Sequence, residues 1–270
     1  MTNDDGEGRR LFHDELRRWR AARTQRLISE WGWLSLVARF VLSPGDNEID
    51  VGTAAFRDGA VSVTLRSDVV AHDEHGQEVR AHRWAAGSSG GGPYFFVGPR
   101  RYELLRQGER AAIRVRDPNA PSRSGFAGLR FFEPDERFRV VAQLVRAGAP
   151  ASIPLGQGLG GVLDHPCPGA LVFTLLGQQH RLLPVIDDDA PGQYFLIFKD
   201  ATSGGASYGA GRFLYLEPAN QHGEVELDFN RAFNPPCALT EYAACPVAPP
   251  ENRLQVAVTA GERSPPTAHG

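Results

Sequence analysis

The chain has 270 residues, of which 41% are hydrophobic and 23% are charged, and its formal net charge is -3 at pH 7. This composition is typical of a globular protein with a hydrophobic core, and the charge argues against a nucleic-acid-binding domain. No apolar run approaches the roughly 18 residues that a membrane span requires, so we predict no membrane partner.

The first predicted element is an N-terminal helix, which with a flexible start occupies residues 1–30. The helix itself is expected from about Leu11 to Glu30, because apolar residues recur at helical spacing. The segment before it is acidic and has no apolar core, so it does not resemble a signal peptide. Three cysteines cannot all pair within one chain, which favours a reducing, cytoplasmic location.

Short β-strands are predicted throughout residues 31–263. Val61, Val63 and Leu65 alternate with polar residues after an Asp-Gly turn, and further short apolar runs are separated by Gly/Pro turns. Two of these predicted strands are Leu129 to Phe132 and Leu254 to Val258. The fold class expected is mainly β, an antiparallel β-sandwich or partly open barrel with an N-terminal α-helix.

The domain organisation predicted is a single β-rich domain over 31–263, which the sequence leaves open to division into two packed halves. The seam between such halves would lie near 147–151, where Ala, Gly and Pro accumulate. The glycine-rich segment 87–92 is predicted to be a flexible loop, and 264–270 a disordered tail.

The segment from Asp228 to Arg253 is unusually rich in different polar side chains and in prolines. We expect the runs 211–216 and 223–230 to form a hairpin. Asp228 and Asn230 would then lie side by side at its end, with Arg212 across from them. Asp228 is the candidate general base. The candidate ligand-binding residues are Arg212, Asn230, Asn234, Tyr242, Asn252 and Arg253.

A structural role competes with this interpretation. Asparagines in irregular segments also cap turns by hydrogen bonding to the backbone. Glu262 is either a second carboxylate of the site or an exposed partner of Arg263. Arg114, Arg116 and Arg123 either join an anion site or form ion pairs on a strand face, with Asp117 and Glu133 as the expected partners.

Cys237 and Cys245 are the candidate thiols, although buried unreactive cysteines are common. No Cys-x-x-Cys pair occurs, so zinc is not expected. The acidic run 187–189 lacks the spacing of a calcium loop, and no helix follows the glycines of 156–161 to complete a phosphate site. We therefore predict no metal and no cofactor.

Several motifs resemble the prokaryotic family known as domain of unknown function 1684. They lie in 32–36, 116–117, 121–128, 200–213, 228–246 and 252–254, and the likeness spans about residues 12 to 263. The resemblance implies a soluble, largely β protein of bacteria or archaea, without an established activity.

The leading functional hypothesis is a preformed polar pocket in 212–253 that binds a small polar or anionic molecule. One alternative is a metal-independent hydrolase or isomerase in which Asp228 is the base and Arg212 an electrostatic clamp. A second alternative is a protein-interaction module, since 44–49 faintly resembles part of a forkhead-associated sandwich. The oligomeric state does not follow from the sequence.

Overall fold

A computed structural model describes residues 3–87, 92–187 and 190–265 of the chain. The protein is mainly β, with 41% of its residues in strands and 15% in helices, and its sheets are antiparallel. The predicted fold class is confirmed in its sandwich-like form, and none of the sheets closes into a barrel within these ranges.

Helix α1 spans Asn3–Ile28, so it begins and ends earlier than predicted. Residues 6–10 are exposed and polar, and therefore no apolar periodicity marks these first turns. The helix ends before Gly32, where any Cβ atom would collide with the carbonyl oxygens of Arg26 and Leu27. A 3-10 helix, Trp33–Ser35, leads into the first strand.

Within the described residues, the N-terminal half contains ten strands. They are β1 (Leu36–Leu42), β2 (Gly45–Ile49), β3 (Gly52–Arg57), β4 (Ala60–Leu65), β5 (Ala71–Asp73), β6 (Glu78–Val79), β7 (Ala81–Trp84), β8 (Tyr94–Val97), β9 (Arg100–Gln107) and β10 (Arg110–Arg116). A six-stranded sheet has the order β1-β10-β9-β8-β5-β6, and a four-stranded sheet has the order β2-β3-β4-β7.

These two sheets face each other across one hydrophobic core, which includes Phe56, Trp84, Tyr102 and Ile113. In β4, Val61, Val63 and Leu65 are buried and the polar residues between them are not, as the alternation predicts. The turn between β3 and β4 uses Asp58 and Gly59, whose φ angles are 50° and 70°. Two consecutive positive φ angles match the twist of a tight hairpin.

The part of the C-terminal half that the structure describes contains nine strands, reached through the short helix α2 (Pro121–Ser124) and a 3-10 helix (Glu136–Phe138). They are β11 (Arg139–Val145), β12 (Ser152–Gly156), β13 (Val162–Pro166), β14 (Ala170–Leu175), β15 (Gln178–Leu182), β16 (Val185–Ile186), β17 (Tyr194–Phe198), β18 (Arg212–Leu216) and β19 (Glu224–Asp228). Two further 3-10 helices, Phe229–Arg231 and Pro236–Ala238, follow β19.

The C-terminal sheets form three layers. The sheet β15-β14-β11-β19 faces the sheet β16-β17-β18 across a second core, and the hairpin β12-β13 packs on the other face of β17 and β18 through a third cluster. Strand β17 is therefore covered on both faces. This explains why its sequence, Tyr-Phe-Leu-Ile-Phe, is apolar throughout rather than alternating.

The predicted hairpin of 211–230 is wrong. Strand β18 pairs with β17, and β19 pairs with β11, so the connection between β18 and β19 crosses from one sheet to the other. Leu214 and Leu227 face the same core from opposite sheets. Alternating strands on both sides of a sandwich carry the same pattern as the two strands of a hairpin, so the sequence did not distinguish them.

Two predicted strands are also wrong. Within 129–132 only Phe131 forms a β-bridge, to Glu262, and 254–258 is irregular after a bridge between Lys199 and Arg253. Many backbone N–H and oxygen groups of this C-terminal segment form hydrogen bonds with side chains from distant parts of the chain, rather than with a neighbouring strand.

The proposed division near 147–151 lies in the loop between β11 and β12, and it stays a prediction. In the predicted tail, Ser264 donates its backbone N–H to the oxygen of Ala206 at 3.0 Å. The rest of that tail from 266, the centre of the predicted flexible loop (88–91) and the first two residues lie outside the described ranges. Among the described residues, no helix is both long and apolar enough to cross a membrane.

Helix α1 is attached to the C-terminal half by a buried ion pair. The Nε atom of Arg23 lies 3.0 Å from Oε1 of Glu262, and its Nη2 atom donates to the oxygen of Asn234 at 2.9 Å. Phe12 and Leu16 are buried on the same helix. Apolar packing and the buried ion pair of Arg23 therefore hold α1 in place.

We predict that Arg23→Ala destabilises the protein by about 3–5 kcal/mol, because Glu262 would be left as a buried, unpaired charge. Arg18→Ala, on the exposed face of the same helix, should change the free energy of unfolding by less than about 0.5 kcal/mol. Urea denaturation measures both. Equal stability of the two variants would contradict the anchoring role.

Candidate functional site

Arg212 is completely buried, and acceptors hold both of its terminal nitrogen atoms, whereas its Nε atom has no hydrogen-bond partner among the described residues. Its Nη2 atom donates to Oδ2 of Asp200 at 2.7 Å and to the oxygen of Val258 at 2.9 Å. Its Nη1 atom donates to the oxygens of Ala260 and Glu262. Desolvation by burial lowers the pKa of the Arg212 guanidinium, and the neighbouring Asp200 carboxylate opposes that shift.

Asp200, the partner of Arg212, is equally buried and has its other oxygen occupied. Oδ1 accepts from the backbone N–H of Thr202 at 2.7 Å and from its hydroxyl at 2.6 Å. The hydroxyls of Thr202 and Ser207 are 2.7 Å apart. The ion pair is thus part of a closed hydrogen-bond network and is inaccessible to a ligand.

The three predicted ligand-binding asparagines are buried and bind the protein's own backbone. Asn252 accepts from the N–H of Leu183 at 2.7 Å and donates to the oxygens of Leu183 and Ile197. Asn234 donates to the oxygen of Arg263 at 2.8 Å, while its backbone N–H donates to Oε2 of Glu262. These contacts correspond to the structural role considered for asparagines in irregular segments.

Asn230 joins Asp228 to the segment around Asp135. Its backbone N–H and its Nδ2 atom donate to Oδ1 of Asp228 at 3.0 and 2.9 Å. The side chain of Asn230 also accepts a hydrogen bond from the backbone N–H of Asp135 and donates one to the backbone oxygen of Asp135. The two side chains therefore lie side by side as predicted, with Asp228 capping the 3-10 helix.

The pKa of Asp228 is raised, chiefly because burial disfavours its charged form, although the hydrogen bonds from Asn230 oppose the shift. Arg231 lies beside it, with Nε 3.4 Å from Oδ2. Arg212, the predicted neighbour of Asp228, pairs with Asp200 instead. This change follows from the pairing of β18 with β17 rather than with β19.

The remaining candidates lie in several places. Arg253 is exposed, and Tyr242 is half-buried in the segment 236–247, which contains both Cys237 and Cys245. Glu262 is buried against Arg23, so the expected exposed pairing with Arg263 is wrong.

Sequence reasoning missed Arg23 and gave Asp200 no role in the site. The signals for Asp200 were its position in the polar turn Asp-Ala-Thr-Ser-Gly-Gly and in the motif 200–213 that resembles the family.

Arg114 and Arg116 both contact Oε1 of Glu103, at 3.0 and 2.7 Å. The expected partners Asp117 and Glu133 are therefore wrong, because the strand register places β9 beside β10. Arg123 donates to the oxygen of Ile28 at the end of α1. These cations hold the N-terminal half together.

An open depression lies next to the buried network. It is lined by Phe131, Phe132, Glu133, Pro134, Asp135, Thr259 and Arg263. The Cζ atom of Arg263 lies 5.5 Å from the ring centre of Phe132. Within the described part of the chain, no carboxylate lies within 4.0 Å of its guanidinium, and its buried Nε atom has no hydrogen-bond partner.

Buried asparagines fix two walls of this depression. Asn230 binds both backbone polar groups of Asp135, and Asn234 binds the backbone oxygen of Arg263. Arg20 adds a further contact, since its Nη2 atom donates to the oxygen of Phe132 at 2.9 Å. Two of the asparagines that the sequence singled out therefore support the backbone of this depression, but the residues that line it lie outside the predicted segment 212–253.

The thiols form a second polar cluster. The backbone N–H of Cys237 donates to Sγ of Cys245 at 3.3 Å, and the hydroxyl of Tyr208 lies 3.9 Å from Sγ of Cys237. Among the described residues, no group of three or more His, Cys, Asp or Glu side chains is arranged to hold a metal ion.

Comparison with known proteins gives a family without an assigned activity. A family model described as "Protein of unknown function (DUF1684)" matches residues 124–263. A solution NMR structure of the uncharacterized protein from gene locus rrnAC0354 of Haloarcula marismortui is 34% identical, covers 54% of this chain and 82% of its own, and has a TM-score of 0.44. No curated protein matches the chain.

We predict that Arg212→Lys costs more than about 2 kcal/mol of stability, because one ammonium group cannot replace a planar guanidinium that serves several buried acceptors. The matched change Arg253→Lys, at an exposed position, should stay within about 0.5 kcal/mol of wild type. Denaturant unfolding measures the difference. An Arg212→Lys variant as stable as wild type would contradict the structural role of the hydrogen bonds around Arg212.

A second prediction concerns pH. Because the folded state raises the pKa of Asp228, its favourable contribution is present below the unfolded pKa and is lost as pH rises through the folded pKa. Asp228→Asn should remove this loss, so the variant gains stability relative to wild type as the pH rises above about 3.9, the ordinary pKa of an aspartate. Urea titrations at pH values below and above this point test it, with exposed Glu251→Gln as the control. Parallel curves for wild type and Asp228→Asn would contradict the prediction.

Proposed function

The chain belongs to the DUF1684 family of proteins of unknown function, and on that premise we propose that it binds a small polar or anionic molecule in the depression beside Arg263. We further propose that it does so in the cytoplasm of a prokaryote. Its three cysteines are free thiols, which supports a reducing location.

One observation carries the proposal: the guanidinium of Arg263 borders open space without a carboxylate partner among the described residues. The two buried arginines nearby, Arg23 and Arg212, each form an ion pair with a carboxylate. A guanidinium on an aromatic surface binds carboxylate and phosphate groups through paired N–H donors. Arg263 is therefore the residue best placed to hold an anionic group.

The neighbouring side chains suggest the rest of the ligand. Phe131 and Phe132 offer apolar surface, Thr259 offers a hydroxyl, and Glu133 is an acceptor at the same rim. Asp135 is engaged by Arg137 at 2.7 Å, and this ion pair lowers the pKa of Asp135. A small molecule with one carboxylate or phosphate and one hydrogen-bond donor would match this arrangement.

In this proposal the asparagines are positioning residues rather than ligands. Asn230 and Asn234 hold the backbone of Asp135 and Arg263, so they set the width of the depression. Arg212 and Asn252 stabilise the sheet and the C-terminal segment behind it. We assign no ligand contact to Tyr242 or Arg253, which do not line the depression.

A second candidate is turnover of the bound molecule without a metal, with Asp228 as the general base. The favouring observation is that Asn230 connects Asp228 directly to Asp135 at the rim of the depression. Burial also raises the pKa of Asp228, the direction that a general base requires. The Arg212 clamp of the original hypothesis is replaced by Arg263. The interaction-module alternative stays a prediction.

The test is binding of inorganic phosphate and of short mono- and dicarboxylates, measured by thermal shift and then by calorimetry. We expect at least one compound to bind wild type and to bind Arg263→Gln about 10- to 100-fold more weakly, the loss expected for a charged hydrogen bond of about 1.5–3 kcal/mol. Arg253→Gln, the matched exposed control, should bind like wild type. Equal affinity of the two variants, or no binding by any compound, would overturn the proposal.

A further inference from the structure

The segment 236–247 brings two thiols together although they are eight positions apart. The 3-10 helix Pro236–Ala238 positions Cys237, and the N–H groups of Leu239 and Thr240 then bond to the oxygen of Pro236, which turns the chain back. Cys245 returns to within 3.3 Å, Sγ to N, of Cys237. Prolines at both ends restrict the backbone and so maintain this arrangement.

The two thiols are chemically unequal. A side-chain hydrogen bond from Cys245 lowers the pKa of Cys237 to about 7, with a smaller contribution from the hydroxyl of Tyr208. The same thiol pairing and burial raise the pKa of Cys245, and the charge of Arg39 opposes that shift. The hydroxyl of Tyr208 also lies within hydrogen-bonding distance of Sγ of Cys237, where it favours the thiolate, so we assign Cys237 as the nucleophile of the pair.

All three cysteines are partly buried residues. Cys167 differs from the pair because burial raises its pKa and its thiol donates to the backbone oxygen of Gly169 at 3.4 Å. Cys167 therefore serves as the comparison thiol within the same chain.

We propose that Cys237 and Cys245 are a redox-active dithiol, which a hydroperoxide converts to a reversible disulfide. The Cys237 thiolate attacks one peroxide oxygen; the S–O bond forms, the O–O bond breaks, and the leaving oxygen takes up a proton. Cys245 then attacks the sulfenic acid of Cys237, forming the S–S bond and releasing water. The peroxide gains two electrons in all, and the two thiols lose them.

This disulfide would close a loop that contacts both halves of the protein. The hydroxyl of Thr240 donates to the oxygen of Leu36 at 3.5 Å, and Gln107 donates to the oxygen of Ala244 at 3.5 Å, both in the N-terminal half. On the other side, the N–H of Val247 donates to the oxygen of Gly156 at 3.3 Å. Oxidation would therefore restrain the segment that bridges the two halves.

The experiment exposes the reduced full chain to hydrogen peroxide, blocks the remaining thiols with N-ethylmaleimide, and determines intact mass and peptide masses. We expect wild type to lose two hydrogens, to accept one maleimide at Cys167, and to recover three reactive thiols after dithiothreitol. Alkylation of Cys237 should also show an inflection near pH 7, which Cys167 lacks.

Three variants make the result specific. Cys167→Ser should form the disulfide like wild type, Cys245→Ser should retain one oxygen on Cys237, and Cys237→Ser should stay unoxidised. Circular dichroism of each reduced variant establishes that it is folded. Retention of all three free thiols in wild type, or oxidation of Cys167 at the same rate as Cys237, would overturn the proposal.

Discussion

The arrangement of the C-terminal half depends on two ion pairs buried away from water. Burying a charge is costly unless the charge is paired and its remaining hydrogen-bonding groups are occupied. Arg212 is paired with Asp200 and also donates to three backbone oxygens, and Arg23 is paired with Glu262 and donates to Asn234. Because most of these acceptors come from residues 258–262, pairing the two cations also determines the course of a segment that has no regular secondary structure.

The fold could be predicted where the local pattern is decisive. The alternation in β4 and the Asp58–Gly59 turn identify a hairpin from a few neighbouring residues. Strand pairing could not be predicted in the same way, because β18 and β19 are adjacent in sequence yet belong to facing sheets. The alternation of apolar and polar residues shows only which face of each strand is buried. It carries no information about which strand supplies the hydrogen bonds.

The candidate site shows the same limit for polar residues. The density of Asp, Asn and Arg after residue 228 correctly marked an unusual region, but most of these side chains bind the protein itself. An asparagine that binds carbonyl and N–H groups of the chain has the same chemistry as one that binds a ligand. The distinction lies in burial, which depends on partners such as Arg23 and Asp200, far away in sequence from the groups they bind.

The Arg23–Glu262 ion pair also constrains the order in which the protein can assemble. The described strands of the N-terminal half find their partners within 36–116, so these partners are all available once those residues have left the ribosome. Arg23, by contrast, lies 239 positions before Glu262 in the sequence. Its ion pair therefore cannot form until nearly the whole chain has been synthesised, although the first helix is the earliest element to be made.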